Sequence, residues 1–255
     1  LAQLSPFTRN SKAWKDLMAL PSIEDRVNAL RNETTRAKLI AEGIEAGDMK
    51  NLAHMLHPFG IDSKPNLDFA RQQSLLQLAE AEGKDPVEVY VERLLASEGR
   101  EFFNFWMFGG NLDNQWKYMQ LPHVVPMLGD AGAHVGFFTD TDSPTVLLSE
   151  LTREQGVYSL PEAVHRITGK SAAIIGLKER GELREGWHAD INVIDYENLS
   201  TCHPEYVNDF PHGGGRFVVK GKGYDATIVG GKVIIKNGKH TGHRPGRVIR
   251  EFVRG

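Results

Sequence analysis

Two short apolar runs constrain this chain more than any other feature. "EFFNFWMF" (Glu101 to Phe108) and "VVPMLG" (Val124 to Gly129) are too short for helices and too apolar for surface loops, so both read as buried strands. Each follows a helix-patterned segment. Strands that alternate with helices need crossover connections, which argues for a parallel α/β arrangement.

The helices are legible from spacing and caps. "IEDRVNALRNETTRAKLIAEGI" places Val27, Leu30, Leu39 and Ile40 at helix-compatible intervals and predicts a stop at Gly43. "NLDFARQQSLLQLAEAEG" repeats the pattern with Phe69, Leu75, Leu76 and Ala79, stopping at Gly83. "DPVEVYVERLLASEG" opens on Asp85 as N-cap with Pro86 at the first helical position, and stops at Gly99. "SLPEAVHRITGKSAAIIG" is the last predicted helix. After about residue 177 the pattern turns to short β-rich pieces broken by glycine. Gly230-Gly231, between "ATIV" and "KVII", predicts a two-residue hairpin, because both central positions of such turns favour positive φ.

Composition bounds the partners. The 255 residues carry a net charge of −3, which gives no reason to expect nucleic acid or an anionic membrane. No window approaches the roughly 18 apolar residues of a membrane span, and "LAQLSPFTRNSKAWKD" lacks the apolar core of a signal peptide. The single cysteine, Cys202, fits a reducing compartment, and the expected location is cytoplasmic.

The second apolar run ends in chemistry. "VVPMLG" leads into Asp130, and His134 follows four residues later among small residues. In a parallel α/β barrel, functional side chains sit where strands end and loops begin. A carboxylate there is placed to take a proton from water or to ligate a metal ion, and His134 to support it or the substrate. Spacing leaves the plainer reading open, in which Asp130 caps a turn and His134 is a surface histidine. Asn104, in "FFNFW", is either a substrate-orienting group or a hydrogen-bonded core residue. Trp106, Phe108, Phe137 and Phe138 would line an apolar pocket or simply belong to the core. Thr139, Asp140 and Asp142 read as turn residues, and "PHGGGR" lacks the lysine and hydroxyl residue of a phosphate loop.

"LGDAGAHVG" and "LPEAVHRITGKSAAIIGLKERGELREGWHADINVID" resemble the carboxyl half of the metal-dependent amidohydrolase superfamily, and more closely its D-aminoacylase (N-acyl-D-amino-acid deacylase) branch. "DFPHGGGRFVVKGKGYDATIVGGKVIIKNGKHTGHRPGRVIR" is similar to the terminal segment of those proteins. "SPFTRNSKAWKDLMALPSIEDRVNALRN" resembles their stretch just past the sixth barrel strand. The resemblance implies the C-terminal portion of a (β/α)8 TIM-type barrel over residues 1–177, followed by the C-terminal half of a small composite β-sandwich over residues 178–255. It implies a hydrolase of C–N bonds other than peptide bonds, acting on a small-molecule amide with a divalent metal ion of the zinc kind. Asp130 matches the family's general acid/base, which is sometimes also a metal ligand.

Two departures qualify that expectation. The family's other ligands include a His-x-His, and none occurs here; His54 and His57 in "HMLHPFG" match no ligand motif. Those ligands are therefore expected upstream of Leu1, and the isolated piece is expected to bind metal poorly, to be inactive and to fold poorly. Many D-aminoacylases also carry a His-Pro-Arg whose arginine receives the substrate carboxylate. The corresponding run here is Asp142-Ser143-Pro144-Thr145, without arginine, which weakens the N-acyl-D-amino-acid assignment more than amide hydrolysis itself. The alternatives are a non-catalytic scaffold of the same fold and a cyclic-amide hydrolase of the hydantoinase or dihydroorotase kind.

Overall fold

The computed structural model describes residues 1, 5–60, 65–68, 71–106, 112–126, 133–136, 141–250 and 252. In chain order the helices and strands begin with α1 (Lys12–Met18), α2 (Ile23–Arg31), α3 (Glu33–Ala46), α4 (Asp48–Leu52), β1 (Leu56–Pro58), α5 (Leu75–Glu82), α6 (Pro86–Ala96) and β2 (Phe103–Phe105). They continue with α7 (Leu112–Gln120), α8 (Ser143–Val146), a π-helix (Leu147–Glu154), α9 (Leu160–Ile167) and α10 (Gly169–Ile174). The remainder is β3 (Ile191–Ile194), β4 (Ser200–Thr201), β5 (Glu205–Val207), β6 (Arg216–Val218), β7 (Gly221–Lys222), β8 (Tyr224–Val229), β9 (Lys232–Lys236) and β10 (Lys239–His240).

Packing groups these into two units, Leu1–Leu112 with Tyr206–Phe217, and Asp113–Glu205 with Val218–Gly255. The units cut the chain at other positions than the 1–177 and 178–255 segments, because they follow contacts within this chain. The fold mixes helix and sheet. Among the described residues no helix is long and apolar enough to cross a membrane.

The first unit is built on capped helices. Ser11, Ser22 and Asn32 each accept a backbone N–H at a helix start, and Ser74 and Asp85 form capping boxes with Gln77 and Glu88. Their apolar faces bury Phe7, Trp14, Leu30, Leu39, Leu75, Val91 and Leu94. The Trp14 indole is satisfied inside this core, donating to the Leu39 carbonyl at 2.9 Å. The single helix expected from Ile23 is two. Asn32, extended at ψ 121°, ends α2 and caps α3 with its own side chain, the local competition that makes asparagine a poor mid-helix residue. Gly43 is not a stop either: α3 runs on to Ala46 and ends on left-handed Gly47. A Cβ at Gly43 would lie 2.8 Å from Val87 Cγ1, so glycine there lets α3 and α6 approach.

The sheet of this unit corrects the parallel expectation. β1 and β2 pair antiparallel, with His57 opposite Asn104. The strand β1 is three residues ending in proline, too short to show an alternation in sequence. Only Phe103–Phe105 of "EFFNFWMF" forms strand, and residues 107–108 lie outside the described set.

In the second unit Val124–Pro126 form no strand, and residues 127–132 lie outside the described set. The predicted helix over 159–176 breaks at Thr168 (φ −125°, ψ −94°) into α9 and α10. The β-rich tail is antiparallel, with sheet order β10-β9-β8-β3. Gly230 (φ 53°) and Gly231 (φ 76°) turn β8 into β9 as their sequence predicted. Leu147, Leu148, Tyr158, Ala163 and Leu199 form this unit's buried core.

Candidate functional site

The segment from Met119 to Val124, which precedes Asp130 in sequence, is held from one point. Arg166, on α9, is 3% exposed. It donates to the carbonyls of Met119 (2.6 Å), Gln120 (3.0 Å), Leu121 (3.3 Å) and Val124 (2.7 Å), and to Glu162 (2.6 Å). These carbonyls belong to the end of α7 and the turn after it, where helical partners run out. The guanidinium also lies over the Tyr158 ring, whose hydroxyl donates to Met119 O at 2.7 Å. Asp130 itself lies outside the described residues, six positions past Val124.

His134 is described. It is exposed and adopts φ 52°, a left-handed conformation uncommon for a residue with a side chain. Phe137, Phe138, Thr139 and Asp140 lie outside the described set. Beyond them the run Asp142–Thr145 is committed to structure: Asp142 accepts a hydrogen bond from Thr201, and buried Thr145 shares one with the Tyr224 hydroxyl at 2.7 Å. The π-helix continues from this run. Ser149 Oγ donates to Thr145 O and Thr152 Oγ1 to Leu147 O, satisfying carbonyls that the wider winding displaces.

Asn104 lies in the first unit, in a polar cluster. Its Nδ2 donates to Gln72 Oε1 at 3.2 Å, while Gln72 Nε2 donates to Pro58 O and Asn66 O. Opposite stands His57, buried and stacked on Trp106 with ring centroids 4.0 Å apart. Trp106 therefore covers an imidazole. Phe108 lies outside the described residues. Burial pushes the His57 imidazole below its usual range. His57 was visible in sequence, but its place against Asn104 depends on a strand no pattern announced. Gln72 carries no motif, and Arg166, though it lies in the family-like run from Leu160, was given no role there. Cys202 is half-buried and in no disulfide. Among the described residues, no group of three or more His, Cys, Asp or Glu side chains is arranged to hold a metal ion.

The amidohydrolase family model matches residues 2–235. This chain belongs to that family. Over 106 residues, 41% of the chain, it is 38% identical to an N-acyl-D-aspartate deacylase of Alcaligenes xylosoxydans xylosoxydans. Over 94 residues, 35% of the chain, it is 36% identical to a dihydroorotase of Endomicrobium trichonymphae. These matches span only 19% and 21% of the relatives' lengths. A solved structure of an N-acyl-D-glutamate deacylase from Bordetella bronchiseptica, complexed with zinc and a phosphonate inhibitor, aligns with a TM-score of 0.42 and 18% identity. That alignment covers 87% of this chain and 46% of that one.

Proposed function

We propose that the complete protein to which this chain belongs hydrolyses a non-peptide C–N bond of a small-molecule amide, in the manner of N-acyl-D-amino-acid deacylases. Membership of the amidohydrolase family over residues 2–235 carries this reading, and the likeness to an N-acyl-D-aspartate deacylase supports the substrate class. In this reading residues 1–177 belong to a (β/α)8 barrel and 178–255 to a β-sandwich, and lone Cys202 suits the cytoplasm.

Asp130 accepts the proton of the attacking water as general base and returns it to the leaving nitrogen as general acid. His134 supports the carboxylate or the substrate, and Asn104 orients the substrate. A divalent ion of the zinc kind, with Asp130 among its ligands, would make the water acidic. A catalytic zinc takes about three protein ligands, and the described residues offer no such cluster. The Asp142–Thr145 run contributes no cationic clamp, since it has no arginine, and its Asp142 and Thr145 side chains bond Thr201 and Tyr224.

Asp130→Asn in the complete protein should lower kcat by about 10²–10⁴-fold on N-acyl-D-amino acids while the protein stays folded. Wild-type turnover in that variant would overturn the Asp130 assignment. Turnover of cyclic amides alone would replace the substrate class by that of the dihydroorotase relative.

A further inference from the structure

His57 is left unused by the chemistry above. It is 5% exposed, and neither Nδ1 nor Nε2 has a hydrogen-bond partner, both being hidden from solvent. Its ring lies against Trp106 with planes 21° apart. The cross-strand neighbour Asn104 is uncharged and gives its amide to Gln72. β2 carries no titratable side chain. On α5, which packs against β1, Glu80 and Glu82 are exposed and Glu82 pairs with Lys84. His54, in the turn before β1, and Asp68 and Arg71, beside Gln72, are exposed; Glu101, before β2, pairs with Arg93. Among the described residues none of these charges bonds the ring.

A neutral imidazole tolerates such surroundings at modest cost, whereas a buried cation without a partner does not. We propose that His57 is an acid-sensitive latch on the β1–β2 ribbon: protonation of its ring breaks the Trp106 stack and opens the strands. The rungs that part are Phe59 N–H to Phe102 O and Trp106 N–H to Met55 O, both 2.9 Å. Asn104 moves with β2, so the latch links acidification to the residue assigned to substrate. That link rests on the Asn104 assignment; the latch itself does not.

The sign follows from burial. Desolvation holds the ring of the closed ribbon below its ordinary range, while in the open ribbon it titrates near about 6.5. Opening is therefore independent of pH above about 6.5 and rises about tenfold per pH unit below it, until the closed ring also titrates.

The test is amide hydrogen exchange on the complete protein, reading Phe59 and Trp106 against α3 amides as the global reference. Wild type should show the tenfold-per-unit rise at Phe59 and Trp106 only, and His57→Phe should be flat. Equal slopes in both proteins would overturn the latch. Should His57→Phe fail to fold, ring NMR of wild type decides. A midpoint below that of free histidine, coincident with lost protection, supports the latch; ordinary titration with protection intact refutes it.

Discussion

Replacing Arg166 by Met tests how the segment from Met119 to Val124 is held. The substitution keeps a long apolar stem but removes donors to four carbonyls and to Glu162. Hydrogen bonds to a charged donor contribute about 1.5–3 kcal/mol each, yet a fork of them is not additive. Three of the carbonyl contacts are 3.0 Å or shorter, and the residue is 3% exposed. Breaking a buried charged network of this kind costs about 3–5 kcal/mol. For a unit of this size that lowers Tm by about 10–20 °C. Glu162→Gln separates the two halves of the network. Its side chain is 44% exposed, so losing the ion pair alone should cost under about 1 kcal/mol. Arg166→Lys should recover less than half, because an ammonium cannot span the fork. Urea unfolding of the three variants, followed by circular dichroism, reads all of this. A loss below about 1 kcal/mol for Arg166→Met, or equal losses for Arg166→Met and Glu162→Gln, would refute the clamp.

Two smaller perturbations check the first unit. Gly43→Ala gains up to about 1 kcal/mol of helix propensity but forces a Cβ to 2.8 Å from Val87 Cγ1. A net loss of about 1–2 kcal/mol is expected from overpacking, read as a fall in the urea midpoint; a stabilised variant would show that α3 and α6 part freely. Asp85→Ala removes the capping box of α6 and should cost about 1 kcal/mol, with Asp85→Asn retaining most of the stability.

Local chemistry was legible, and pairing across the chain was not. Asp85 with Pro86, left-handed Gly83 and the Gly230-Gly231 turn appear as sequence predicted because each is decided within a few residues. Asn32 and Gly43 misled for complementary reasons: a side chain that caps its own backbone splits one apparent helix, and a glycine that reads as a stop serves a distant Val87. The antiparallel β1–β2 ribbon was hidden because three residues ending in proline have no visible alternation. Asn104 was found through its strand, but its partners His57 and Gln72 come from other segments and share no motif with it. Asp130 and His134 stood out at the end of an apolar run and family likeness gave a role to Asp130, whereas Arg166 came to notice only through the carbonyls gathered around it.

The anchoring of Asp142 and Thr145 bears on how such a chain could be redesigned. Grafting an arginine in place of Asp142 or Thr145 to accept a carboxylate would strip Thr201 or Tyr224, respectively, of its present bond. The new guanidinium would also emerge beside Thr145, which is 5% exposed, and would have to find water or a counter-ion. Altered selectivity at this loop therefore calls for coordinated exchanges in β4 or β8, and a lone substitution should surrender stability before it wins a new substrate.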